Sequence, residues 1–181
     1  MMKKLIALIL ALCTLLLCAC AFAEDDDEEE KEFKWSDYEA AAADYPGAMM
    51  DIGDTGLMMY VPETFTVAEI NQKMADQGVI LKLTAPKKWE ITVTHASLGE
   101  MDEEDYVAEL EENGAKNAEY MMVNDLDAVN YDKKMNGAKA SCVFIVNNDD
   151  NTITTFAFSP MKDKKFVKLA TIMMASIQAK K

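Results

Sequence analysis

Four β-prone runs separated by short polar turns fill the last third of this 181-residue chain, and that spacing restricts its fold more than any other feature. The runs are residues 119–123, 126–131, 139–147 and 152–159, and their turns fall at Asn124-Asp125, Asn136-Gly137 and Asn148-Asp149-Asp150-Asn151. A parallel connection needs a crossover of a dozen or more residues, so links this short admit only antiparallel neighbours. Asn-Gly is the strongest of the turn signals, because both residues tolerate positive φ and fit a tight hairpin turn. The last third is therefore expected to be a meander.

The rest of the chain supplies more strands and several helices. Residues 48–52 and 57–61 flank the turn Gly53-Asp54-Thr55-Gly56 and predict a hairpin. Residues 79–84 and 89–96 predict two strands joined around Pro86-Lys87-Lys88. Alternation puts Val79, Leu81 and Leu83 on one face of the first and Trp89, Ile91 and Val93 on one face of the second. Ser36-Asp37-Tyr38-Glu39 and Thr66-Val67-Ala68-Glu69 both have the form of a capping box. The first would open a helix that stops at Pro46-Gly47, the second a short helix carrying Ile70 and Met74 that stops at Gly78. Asp102 is placed to cap a helix with Tyr106, Val107 and Leu110 on one side, glutamates on the other, and Gly114 as its stop. After Pro160, Phe166, Leu169, Ala170, Met173 and Ile177 recur at helical spacing. The sum is an α+β fold: one domain over residues 33–181, a mainly antiparallel sheet with helices on both faces.

The N-terminus has a different character. Lys3 and Lys4 precede an apolar run over residues 5–17, and Ala21-Phe22-Ala23 places small residues before Glu24. That pattern is a secretory signal peptide over residues 1–23, cleaved after Ala23, and the run is too short to stay as a membrane span. A second cut is open: Leu17-Cys18-Ala19-Cys20 resembles a lipobox, in which Cys20 would carry lipid. The protein is thus expected to be secreted, or else lipid-anchored at the outer face of the cell membrane, touching membrane only through Cys20. Residues 24–32 begin with seven consecutive acids and are expected to form a disordered tether, since like charges repel and nothing there can be buried.

Composition narrows the function. The chain has 32 acidic residues, 18 basic ones (all lysine) and one histidine, for a net charge of −14. Nucleic acid is excluded as a partner, because such a chain is repelled by a phosphate backbone. Cys13, Cys18 and Cys20 leave with the leader, so Cys142 stands alone in the domain and reads as a small buried apolar group. His95, also unique, sits at the end of a strand without an evident partner. Residues 51–62 start like a calcium loop, but Gly53 and Thr55 occupy ligand positions and Pro62 stands where a bidentate glutamate belongs. No catalytic motif, metal site or cofactor fingerprint is present, so no catalytic residue and no cofactor is assigned. The 14 methionines include the adjacent pairs Met49-Met50, Met58-Met59, Met121-Met122 and Met173-Met174. Thioethers pack irregular cores, line adaptable grooves and bind copper(I).

The stretch from Gly56 to Phe65, reading Gly-Leu-Met-Met-Tyr-Val-Pro-Glu-Thr-Phe, resembles the strand-then-Pro-x-x-aromatic opening of the PsbP and Mog superfamily. The order that follows is similar too: a hairpin, a helix over residues 102–113, a meander ending in Phe156-Ala157-Phe158-Ser159-Pro160, and a closing helix. It also resembles small secreted or lipoprotein members of unknown role from anaerobic Gram-positive bacteria. The resemblance implies an αβα sandwich over roughly residues 48–178, and it implies little about activity, because members range from photosystem subunits to bacterial lipoproteins. The expectation is an exported, non-enzymatic, monomeric binding or accessory module at or outside the bacterial cell envelope, its partner an unknown protein, peptide or small apolar ligand. The alternative is a carrier that holds a small apolar ligand or copper in a Met-rich interior or groove. Buried Met59 and Met173 would favour the module, and a contiguous exposed methionine surface the carrier.

Overall fold

Tight polar turns set the architecture. The computed structural model describes residues 31–180. The meander comprises β7 (Lys116–Val123), β8 (Leu126–Met135), β9 (Ala138–Asn147) and β10 (Thr152–Ser159). Asn124 and Asp125 have φ of 49° and 66°, and Asn136 and Gly137 49° and 80°, so both turns place two successive residues in the left-handed region. β10 pairs onward with β6 (Trp89–Ser97), β6 with β5 (Val79–Ala85), and β5 with the two-residue β4 (Thr66–Val67). At the other edge β1 (Lys31–Phe33) lies parallel to β7. The result is an eight-stranded sheet in the order β1-β7-β8-β9-β10-β6-β5-β4.

The hairpin of β2 (Gly47–Asp51) and β3 (Leu57–Pro62) forms as expected but stays out of that sheet. It pairs instead with β11 (Gln178–Ala179) as a separate three-stranded sheet. Gly47 permits the close approach, since a Cβ there would stand 2.5 Å from the carbonyl oxygen of Val61.

Helices cover both faces. Along α4 (Lys164–Ala175), Phe166, Leu169, Ala170 and Met173 are buried, packed with Ile91, Val143, Phe156 and Phe158 of the large sheet, Leu57 and Met59 of the small one, and Ile52 just after β2. Trp89 stacks on Phe166 at 5.2 Å between ring centroids. On the opposite face Tyr106, Val107 and Leu110 of α3 (Glu103–Glu112) pack over Val129, Tyr131, Cys142 and Phe144. Asp102 caps α3, its carboxylate accepting the amide of Asp105 at 2.9 Å. The expected α+β sandwich is the observed one. No helix among the described residues is long and apolar enough to cross a membrane.

Four local expectations need correction. The Ser36 box does not form: α1 (Trp35–Ala42) starts earlier, its N-cap Lys34 makes no side-chain capping bond, and the Trp35 amide is taken by Asn124 Oδ1 at 2.7 Å. At the second box Thr66 and Val67 pair with β5 instead, and α2 (Gln72–Ala75) opens later, capped by Asn71. Ile70 is outside it. In β5 a register shift between Val79 and Leu81 breaks the simple alternation. Strand β1 also takes in Lys31 and Glu32, assigned from sequence to the tether. The signal peptide with Ala23 and Cys20, and the acidic run itself, lie outside the described residues.

Candidate functional site

The Asn136-Gly137 turn fixes the register of the β8–β9 hairpin and thereby gathers lysines at one end of the sheet. Lys134 stands directly opposite Lys139, Lys133 opposite Ala140, and Asp132 opposite Ser141. On the other side of β8, β7 brings Lys116 level with Asp132, just before a bulge. α3 terminates there: Gly114, at φ 89°, turns the chain toward β7, and its amide and that of Ala115 return to the carbonyls of Glu111 and Leu110. Together Asn113, Gly114, Lys116, Asn117, Asp132, Lys133, Lys134 and Lys139 line an open cleft of about 580 Å³. That volume lies in the range of small-ligand sites.

Charge distinguishes this cleft. Four lysines meet one carboxylate in a chain of net charge −14. Asp132 Oδ2 accepts both from Lys139 Nζ at 3.0 Å and from Asn117 Nδ2 at 2.8 Å. Lys116, Lys133 and Lys134 have no ion-pair partner among the described residues. Like charges directly across a ladder are destabilising, and the Lys134–Lys139 pair is such a case. An anion between them removes the repulsion. A charge count taken over the whole chain hides these residues. The signal was there: two lysines equidistant from an Asn-Gly turn must face one another.

The residues singled out from sequence lie elsewhere and apart. Nδ1 of the half-buried His95 is 3.0 Å from the hydroxyl of buried Thr154, its cross-strand neighbour. No carboxylate stands within ion-pair distance of the imidazole among the described residues. Cys142 is 1% exposed beside Tyr131, and burial pushes its thiol up to about 11. A thiol of this kind is a poor nucleophile. Of the methionines, Met59, Met121 and Met173 are buried and the other described ones are partly covered. None of the described methionines is fully exposed. The acids of α3 are largely solvated, with Glu103 half-buried and its carboxyl raised by that burial, then by Asp127 and Glu104.

Cys142 yields a pH prediction. The unfolded thiol ionises near its ordinary value of ~8.5, before the folded one does, so rising pH favours the unfolded chain from there up to about 11. Stability is expected to fall by about 2–3 kcal/mol across that window, and by clearly less in Cys142→Ala measured against its own neutral-pH value. Urea melts at pH 7.5 and 10.5 test this, and equal slopes in both proteins would refute it.

No family model matches the sequence, and no curated protein does. Among solved structures, the cyanobacterial PsbP (CyanoP) from Synechocystis superposes with a TM-score of 0.54 at 12% identity, over 75% of this chain and 93% of that one. The fold is PsbP-like. A protein from Bacteroides thetaiotaomicron matches with a TM-score of 0.50 at 16% identity over 75% of this chain, which spans about half (49%) of that protein's length. LpqN from Mycobacterium tuberculosis, described as involved in cell envelope biogenesis, matches with a TM-score of 0.47 at 10% identity, over 83% of this chain and 99% of that one. At such identities the PsbP-like likeness describes architecture, and function has to be argued from the site.

Proposed function

We propose that this protein is an exported accessory module that binds, without transforming, a short acidic segment of a partner protein in the lysine cleft. One observation carries the reading: three lysines without acid partners and a facing like-charged pair occupy one cleft of a strongly acidic protein. Lysine supports it in a specific way. Its ammonium is a compact charge on a flexible stem, able to meet carboxylates in many orientations, whereas planar bidentate recognition calls for arginine, and the chain has none. The overall charge opposes long polyanions, so a short segment fits better than a continuous one. A lone imidazole–hydroxyl contact and a buried thiol support binding over catalysis. The leader pattern ending at Ala23 supports export, with acylation at Cys20 as the anchored variant.

The test is calorimetric titration with a blocked hepta-glutamate peptide. Binding should weaken at least about tenfold in Lys134→Ala/Lys139→Ala, which removes two charge-assisted contacts. It should also weaken steeply between about 0.05 M and 0.5 M salt, as screening shortens to a few ångströms. Equal affinity in the double variant would refute the site.

A further inference from the structure

We propose that the end of the molecule where β5 and β10 finish and α4 begins docks on an anionic lipid bilayer, through Lys87, Lys88, Lys162, Lys164 and Lys165. The strand registers bring these residues together. Ala85 stands opposite Trp89, so Lys87 and Lys88 form the β5–β6 turn, and Glu90 opposite Ser159 sets that turn beside the exit of β10. Lys162 follows at once, and α4 then opens at Lys164, with its Phe166 stacked on Trp89. All five lysines are exposed, and none has an ion-pair partner among the described residues. None of them lines the cleft assigned to acidic segments, so the inference stands apart from that reading.

At both places the fold gives something up to carry lysine. Lys87 and Lys88 have φ of 69° and 62°, in the left-handed region where glycine or asparagine is the easier choice. Lys164 and Lys165 occupy the first turn of α4, where the helix dipole favours acids and none is present. Two separate elements bear such a cost at one end of the sheet, which marks charge kept for a partner.

The partner's chemistry follows from what lies among the charges. Trp89 and Met161 are half-buried there, and Lys87 Nζ stands 5.4 Å from the centroid of the Trp89 ring. Lysine around tryptophan is the composition of a membrane interface, with ammonium groups at the headgroups and the indole at the boundary. Flexible lysine stems on separate segments suit a plane of distributed phosphates.

The net charge of −14 does not forbid this, because a membrane feels only the charges near it. Asp149 and Asp150 in the β9–β10 turn, and Glu100 and Asp102 beyond β6, lie at the opposite end of the sheet. The nine residues of β6 separate the two ends by roughly 30 Å, and charges act across only ~8 Å at physiological salt. The glutamates of α3 belong to the other face of the sheet. Beside the lysines, Asp163 accepts the Lys165 amide at 2.9 Å and Glu90 holds Lys82 at 2.8 Å. Docking of this kind needs no lipid at Cys20.

The experiment is co-sedimentation of the unacylated chain from Glu24 to Lys181 with vesicles of equal parts phosphatidylglycerol and phosphatidylcholine, and with vesicles of phosphatidylcholine alone, at about 0.1 M salt. Binding to the anionic vesicles only is expected. In Lys162→Gln/Lys164→Gln/Lys165→Gln the partition coefficient should fall about a hundredfold, at about fivefold for each lysine removed. Melting temperature and hepta-glutamate affinity of this variant should match the parent's, since it touches neither core nor cleft. Lys87→Gly/Lys88→Gly, on the other element, should partition about twenty-fivefold more weakly while its stability rises. Lys31→Gln/Lys34→Gln/Lys73→Gln removes as much charge elsewhere on the molecule and should stay within about twofold of the parent. Undiminished partitioning in either of the first two variants, an equal loss in the third, or no preference for anionic vesicles would overturn the proposal.

Discussion

Replacing Asn124 by alanine is expected to destabilise the protein by about 4 kcal/mol and to lower its melting temperature by roughly 10 °C. Among the described residues, no other side chain ties together so many distant segments. Its Oδ1 accepts the Trp35 amide at 2.7 Å, and its Nδ2 donates to the carbonyls of Ala175 at 2.7 Å and Ile177 at 2.8 Å. Alanine leaves one amide and two carbonyls of a half-buried junction without these partners, at about 1–3 kcal/mol for each group that water cannot reach. Asn124 also has φ 49°, where alanine costs about 1 kcal/mol more than asparagine or glycine. Asn124→Gly should recover that backbone part and nothing else. Asn124→Asp keeps the acceptor for Trp35 but turns a carboxylate toward two carbonyls, so it should resemble alanine. Urea unfolding of the three variants checks the ranking, and a loss below about 1 kcal/mol in the alanine variant would contradict the assigned role. The amide of Asn124 donates to the carbonyl of Phe33 at 3.0 Å, so this turn also anchors β1.

Reversing charge at Lys134 separates function from stability. In Lys134→Glu the residue across from Lys139 changes from a like to an opposite charge, so the hairpin should gain about 0.5 kcal/mol. Affinity for an acidic segment should fall at least tenfold in the same variant, and below detection when Lys139→Glu is added. Opposite signs are the mark of residues kept for binding at a cost to the fold. If stability and affinity fell together, the lysines would be holding the hairpin and the assignment of the cleft would be wrong.

Much of the fold was legible because its signals are local. Asn136-Gly137 dictates a hairpin whatever surrounds it, Asp102 caps α3 from within its own first turn, and the apolar spacing from Phe166 to Met173 needs only a sheet to face. What failed depended on distant partners. The Ser36 box gave way because Asn124, 89 residues away, supplies the acceptor for the first helical amide. Thr66 became an edge strand because β5 offered a ladder, which outweighs a weak capping signal in a short segment. The separation of β2 and β3 into a second sheet depends on β11 at the opposite end of the chain. The candidate site was half legible: the facing of Lys134 and Lys139 follows from the turn, whereas Lys116 joins them through a bulged pairing that no periodicity reveals.

The central claim, that the lysine cleft takes an acidic segment, is tested most directly by following backbone amides in ¹H–¹⁵N spectra during titration with hepta-glutamate. Shifts are expected at Gly114, Asn117, Lys133, Lys134 and Gly137, fading together as salt is raised. Shifts confined to another face of the molecule, or none at concentrations where lysine-poor control proteins are equally silent, would contradict it.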